Sequence, residues 1–251
     1  MASLSRQIRR TQMKRARRAN EKGAKSLDRS LLRLQNIGVG IGGALVLLSA
    51  PAIAQAGDGF TVSVDGDTTT YNQTANKVYN RVDSYNIGLE EQHIYSQPSV
   101  DAVFLQRVTG QDPSSILGLL TANGQVWIMN PSGVLFGSEA RINTAGFMAS
   151  SLVMAEDDFF AGRYELSQEG DGGYVINKGT IDVNNGGYAI LAGASVINDG
   201  YITADDGEVV LAAGRKMAFD FDGDGMINYA VDEAVAAKIV GPDGADLTSA
   251  V

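Results

Sequence analysis

Three small constellations in the chain carry residue types capable of chemistry. The first is Asp220-Phe221-Asp222-Gly223-Asp224-Gly225-Met226-Ile227, where alternate aspartates, a glycine at the sixth position and an apolar residue at the eighth copy the start of an EF-hand calcium loop. Its twelfth position is Val231 instead of a bidentate glutamate, and no helical periodicity flanks it. The expectation is a turn, with weak calcium binding by Asp220, Asp222 and Asp224 as the alternative. The second is the single histidine, His93, among Glu90, Glu91, Gln92 and Tyr95. With no nucleophile or second ligand type beside it, His93 reads as an exposed polar residue in a loop or at a strand edge. The third is Asp157-Asp158. Paired catalytic carboxylates must converge, whereas adjacent strand residues face opposite ways, so a solvated acidic loop or small hairpin over 155–164 is expected. No catalytic constellation emerges, no enzyme is expected and no cofactor is implied. The absence of Cys removes disulfides and thiolate metal sites.

The elements that would hold these residues are short strands. Thirty Gly against five Pro favours many turns, and all-β is the leading class. The formal net charge of -9 hides two opposite parts. Residues 1–35 hold 11 Lys or Arg against 2 acidic residues, leaving 9 basic against 27 acidic in 57–251. A basic leader thus precedes an acidic body, whose sign repels phosphate backbones and argues against nucleic acid as a partner.

The leader continues through the uncharged run 37–48 to Pro51 and Ala54-Gln55-Ala56, an A-x-A site. Cleavage after Ala56, following passage through the general export machinery, is expected. The uncharged run falls short of the roughly 20 apolar residues of a membrane-spanning helix.

Beyond the leader, Phe60, Val62 and Val64 alternate towards a turn at Asp65-Gly66-Asp67, and a Thr-rich strand follows, which reads as a capping hairpin. Asp112-Pro113-Ser114-Ser115 fits either an N-capped short helix or a turn into a strand. The clearest internal repeat lies in 174–214. Asn177, Gly179 and Ile181 recur 21 residues later at Asn198, Gly200 and Ile202, and 187–192 recurs 20 residues later at 207–212. A fainter echo is Arg141-Ile142-Asn143-Thr144-Ala145-Gly146. A period near 20, with Val and Ile strands split by Asn-x-Gly turns, points to a parallel β-helix whose coils bury each other's aliphatic residues, with Asn177 and Asn198 placed for an amide ladder.

The stretch 119–151 centres on Asn130-Pro131-Ser132-Gly133, a sequence suited to a type I turn. It is flanked by Val126-Trp127-Ile128-Met129 and Val134-Leu135-Phe136, apolar runs that ask to be covered on more than one side. With Asn86-Ile87-Gly88, Gln97-Pro98-Ser99, Arg107-Val108-Thr109-Gly110 and Asn123-Gly124-Gln125-Val126 in the same order, this stretch resembles the N-terminal secretion domain of the filamentous haemagglutinin family, the exoproteins of bacterial two-partner secretion. The family carries a second Asn where this chain has Ser132.

The resemblance implies a right-handed β-helix with an N-terminal cap and extra-helical hairpins or loops. It divides the chain into 1–56, an extended signal peptide; 57–232, the secretion domain; and 233–251, a continuation or truncated passenger. It implies a dedicated outer-membrane barrel with periplasmic partner-binding domains, a secreted or surface location in a Gram-negative bacterium, and Asn130, Pro131, Ser132 and Gly133 as the secretion motif. The alternative function is that of a surface adhesin or haemagglutinin binding host or bacterial cells through the β-helix, with a host-cell receptor or glycan as partner.

Overall fold

Runs of three to six residues rich in β-branched, aliphatic and aromatic side chains, bounded by Gly or Asn, are too short for stable helices and pair as strands. The computed structural model describes residues 52–221, 227–233 and 241–242. The chain opens with β1 (Ala52–Gly57), β2 (Phe60–Asp65) and β3 (Thr68–Gln73), paired antiparallel, β2 and β3 across a turn containing Gly66 at φ 56°. This is the expected capping hairpin. From β3 onwards the coil strands run parallel. β4 (Lys77–Val82) closes the first coil, and Ile87, β5 (Gln92–Ser96) and β6 (Val103–Val108) form the second.

Coils of three strands follow: β7 (Ser114–Ile116), β8 (Leu119–Ala122) and β9 (Gln125–Met129), then β10 (Val134–Phe136), β11 (Arg141–Thr144) and β12 (Gly146–Ser150). The turn-into-strand reading of 112–118 is the one the chain adopts. The chain then leaves the coil for β13 (Leu152–Val153), α1 (Glu156–Ala161) and β14 (Tyr164–Gln168). It resumes with β15 (Tyr174–Asn177), β16 (Thr180–Val183) and β17 (Tyr188–Gly193), followed by β18 (Ser195–Asn198), β19 (Tyr201–Ala204) and β20 (Glu208–Ala213). The hairpin β21 (Lys216–Phe221) and β22 (Ile227–Glu233) joins β13 and β14 in an antiparallel sheet outside the coil. The three walls of the β-helix are the sheets β3-β5-β8-β11-β16-β19, β4-β6-β9-β12-β17-β20 and β7-β10-β15-β18.

The register reproduces the repeat. Asn177 lies opposite Asn198, Ile181 opposite Ile202 and Leu191 opposite Leu211, and the Asn177 amide donates to Asn198 Oδ1 at 2.8 Å. The echo at 141–146 does belong to a coil, but to a different wall. Asn143 pairs with Asp182, and the residue opposite Asn177 is Phe136.

Inward-facing columns make the core. One wall stacks Leu120, Ile142, Ile181 and Ile202, and another stacks Phe104, Val126, Phe147 and Ala189. Each buried aliphatic side chain contributes about 1.5 to 3 kcal/mol, realised only when the neighbouring coils are in place.

The apolar run before the motif is covered on both faces, as its composition demands. Val126 and Ile128 point into the coil, while Trp127 and Met129 point out and are sealed by α1 and the antiparallel sheet. The segment 155–164 is therefore not a projecting acidic loop. Phe159 of α1 is fully buried against this outer face, and Lys77 of β4 donates to Phe159 O at 2.9 Å and to Tyr164 Oη at 3.1 Å. Apolar packing, rather than helix propensity, holds this six-residue helix.

Candidate functional site

Asn130 to Gly133 form the corner that carries the chain from β9 to β10, one coil to the next. Gly133 N–H donates to Asn130 O at 3.0 Å, closing the turn, and Ser132 N–H donates to Asn130 Oδ1, also at 3.0 Å. The Asn130 side-chain amide donates to Asp112 O and to Ser114 Oγ, each at 3.0 Å, and its backbone N–H donates to Ser150 O at 3.0 Å. Asn130 is wholly buried, and its backbone and side-chain polar groups are all engaged within the chain. A buried amide left without partners costs about 1 to 3 kcal/mol, so this residue fixes the corner strongly.

Pro131 and Ser132 are half-buried. Ser132 takes part through its backbone N–H, so the second Asn of the family pattern is not needed for this bond. Gly133 sits at φ 125°, a region L side chains rarely adopt, and a Cβ there would stand 3.1 Å from the Tyr174 carbonyl of the next coil.

The corner is one member of a column. Ser151 N–H donates to Ala192 O and Gly214 N–H to Gly193 O at the equivalent corners of later coils. Ser151 Oγ donates to Gly173 O at 2.8 Å and accepts from Ala194 N–H at 3.2 Å. The other blocks behind the resemblance also tie one coil to another. Asn86 Oδ1 accepts from Ser115 N–H at 2.8 Å; Gln97 and Asn123 exchange backbone and amide bonds at 2.7 and 2.8 Å; Gln97 Oε1 accepts from Gly124 N–H at 3.0 Å. Arg107 pairs with Glu169 at 2.5 Å, joining β6 to the segment after β14. Their Asn and Gln residues are the sequence signal of these corners. Gln73, whose amide donates to Ala75 O and Val103 O, gave no such signal.

The remaining candidates lie elsewhere. His93 is buried, not exposed: it faces the interior of β5 with Nδ1 3.1 Å from Tyr85 Oη, and burial pushes its pKa down to about 4 against a smaller opposing effect of Glu91. Tyr85 Oη in turn lies 2.7 Å from Tyr95 Oη, which accepts from the Gln106 amide at 2.9 Å, and Asn80 donates to Gln106 Oε1 at 2.9 Å. Desolvation raises both buried phenols, Tyr85 and Tyr95, well above the ordinary tyrosine value. The array is a structural chain of neutral hydrogen bonds inside the first coils.

Asp157 is exposed on α1, while Asp158 pairs with Arg163. Asp220 is exposed on β21, opposite Asn228 of β22. Of the calcium-like segment, Asp220 and Phe221 lie on β21 and Ile227 on β22, strands where an EF-hand has helices; Asp222 and Asp224 fall outside the described residues. Among the described residues, no group of three or more His, Asp or Glu is placed to hold a metal. The backbone of the A-x-A segment lies in β1, and residues 1–51 of the leader are outside the described residues.

A heme/hemopexin-binding protein of Haemophilus influenzae is 32% identical over 192 residues, covering 73% of this chain and 21% of the relative. A second heme/hemopexin-binding protein of that species is 31% identical over 122 residues, 47% of this chain and 13% of the relative. The chain therefore spans about a fifth or less of the length of these relatives. The crystal structure of the HMW1 secretion domain from Haemophilus influenzae is similar with a TM-score of 0.64 and 28% identity, over 76% of this chain and 51% of that one. The family model of the TPS secretion domain, the two-partner secretion domain, matches residues 49–239, and this chain belongs to that family.

Proposed function

We propose that this domain directs export of its own chain through a dedicated outer-membrane barrel. After passage of the inner membrane and removal of 1–56, periplasmic domains of the barrel recognise it. The chain is then carried to the surface of a Gram-negative cell, where coils fold one on another. The match to the secretion-domain family over 49–239 carries this reading. The buried, internally satisfied Asn130 supports a role for the motif in shaping the corner, with Pro131 and Ser132 as its accessible part. Binding of heme or hemopexin, for which two relatives are named, would belong to those longer proteins, since this chain covers only a small share of them.

The double variant Asn130→Ala with Pro131→Ala is expected to lower extracellular yield severalfold while synthesis stays intact, as read by quantitative immunoblot of medium and cells. Wild-type extracellular yield would remove the motif from the export mechanism.

A further inference from the structure

The wall β4-β6-β9-β12-β17-β20 has a second apolar face, turned away from the coil interior. Leu105, Trp127, Met148, Ile190 and Val210 follow one another across it in register, with Ala192 opposite Ala212 beside them. All are buried, and two separate pieces of chain bury them. The first, 152–168, brings Met154, Phe159 and Leu166 and is fastened to β4, where Tyr79 Oη donates to Met154 O at 2.9 Å and Arg81 pairs with Glu156 at 3.0 Å. The second is the hairpin of β21 and β22, which brings Met217, Phe219, Phe221 and Ile227.

Chain order sets these pieces apart. β14 meets β13 at two positions only, Leu152 opposite Gln168 and Val153 opposite Ser167. Its longer ladder, from Tyr164 opposite Phe219 to Ser167 opposite Lys216, waits for β21. Two whole coils, β15 to β20, are laid down in between. Those coils also make part of the hairpin's seat. Ile227 N–H donates to Glu208 Oε2 of β20 at 2.6 Å, and the Phe221 ring centre lies 5.0 Å from that of Tyr188 on β17, 5.1 Å from Tyr164 and 5.8 Å from Trp127. The seat is complete only once β20 is stacked, so β21 docks last. Its partner β22 is the outermost strand, with Tyr229 and Val231 exposed.

We propose that the hairpin of β21 and β22 is a clasp. The coils stack first with the later half of this outer face open, and docking of β21 on β14, with Phe221 closing over Trp127, locks the domain. In the reverse direction the clasp opens before the coils separate. Opening it breaks one short ladder and uncovers a few apolar side chains, whereas parting two coils breaks the ladders of all three walls. The single tryptophan reports on the lock: its Nε1–H donates to Tyr188 Oη at 2.8 Å inside the coil wall, while its ring gains or loses Phe221. The clasp belongs to the folding of the chain and does not depend on which machinery exports it.

The test uses the full chain, which has no cysteine of its own. Refolding from urea and unfolding into it are followed by far-ultraviolet circular dichroism for strands and by Trp127 emission for closure. Strand signal is expected at least tenfold faster than native emission on refolding, and native emission is expected to be lost first on unfolding. Glu165→Cys with Ala218→Cys, at directly opposed positions of β14 and β21, places one disulfide across the clasp. Its oxidised form is expected to lose native emission at least tenfold more slowly than its reduced form. Phe221→Leu keeps an apolar side chain but removes the stacked ring, and is expected to speed the loss of native emission severalfold with no change in the rate of strand formation. Coincident probes in the wild type, a disulfide that does not form, equal rates for oxidised and reduced chains, or slowed strand formation in Phe221→Leu would each overturn the clasp, and none of these results bears on export.

Discussion

The interior of this β-helix is built in two ways along its length. On one wall, the column beginning with Asn80 and Gln106 continues as Ile128, Ala149, Leu191 and Leu211; on another, His93 sits where the following coils carry Leu120, Ile142, Ile181 and Ile202. The early coils thus enclose a hydrogen-bonded chain from His93 through Tyr85, Tyr95 and Gln106 to Asn80, packed among Tyr71 and Phe104. The later coils carry aliphatic side chains alone in these columns, buried as far as Leu191 and Ile181, with Leu211 of the last coil exposed. An aliphatic column needs only volume and can repeat from coil to coil, whereas a polar one needs each partner in place and so specifies a particular pairing. This places the specific, non-repeating part of the fold next to the N-terminal cap, and the extensible part beyond it.

Exchanging the two interiors should be costly in proportion to the partners left unmatched. Leu191→Asn puts into an aliphatic column the kind of amide that Gln106 carries in the early coils, but with no acceptor or donor above or below. A loss of about 4 kcal/mol in unfolding free energy is expected from lost burial plus an unsatisfied amide, measurable by urea titration. A loss under about 1 kcal/mol would mean that the later coils tolerate polarity, and the contrast would fail.

Acid should weaken the early coils in particular. His93 has its folded pKa lowered by burial to about 4, below an unfolded value near 6.5, so the unfolded chain binds the proton first. Its contribution is complete above about pH 6.5 and declines as the pH falls towards about 4, by about 3 kcal/mol across that window. The difference in urea stability between wild type and His93→Leu is expected to change by that amount between pH 7.5 and pH 4. A constant difference would contradict burial of a neutral imidazole.

The smallest effect in the series is expected from Gln106→Leu, which fits the volume of the column but strips one partner each from Asn80 and the Tyr95 hydroxyl. About 2 kcal/mol should be lost in the same urea titration. A gain in stability would show that the polar chain is dispensable.

The same contrast explains what could be read from the residues alone. The later coils announce themselves because Asn177, Ile181 and Leu191 recur at fixed displacements, and the capping hairpin shows in alternation and the turn at Gly66. The early coils do not repeat, so nothing local distinguishes a buried His93 from an exposed one; Tyr85 comes from the connection after β4 and Gln106 from β6. α1 was hidden for a related reason. It has no side-chain N-cap, and its stability comes from Phe159 meeting Trp127 and Tyr79 across the chain. The acids in its first turn and the left-handed Gly162 after its last residue are the local signals that mark it. The motif corner was legible as a turn, while its burial was not, since Asp112, Ser114 and Ser150 reach Asn130 only through coiling.

The most direct measurement is the extracellular yield of the full chain in a Gram-negative host with and without the barrel that would serve it. The domain is expected in the medium or on the cell surface only when the barrel is present, and retained behind the outer membrane otherwise. Equal release in its absence would contradict a dedicated export role for this fold.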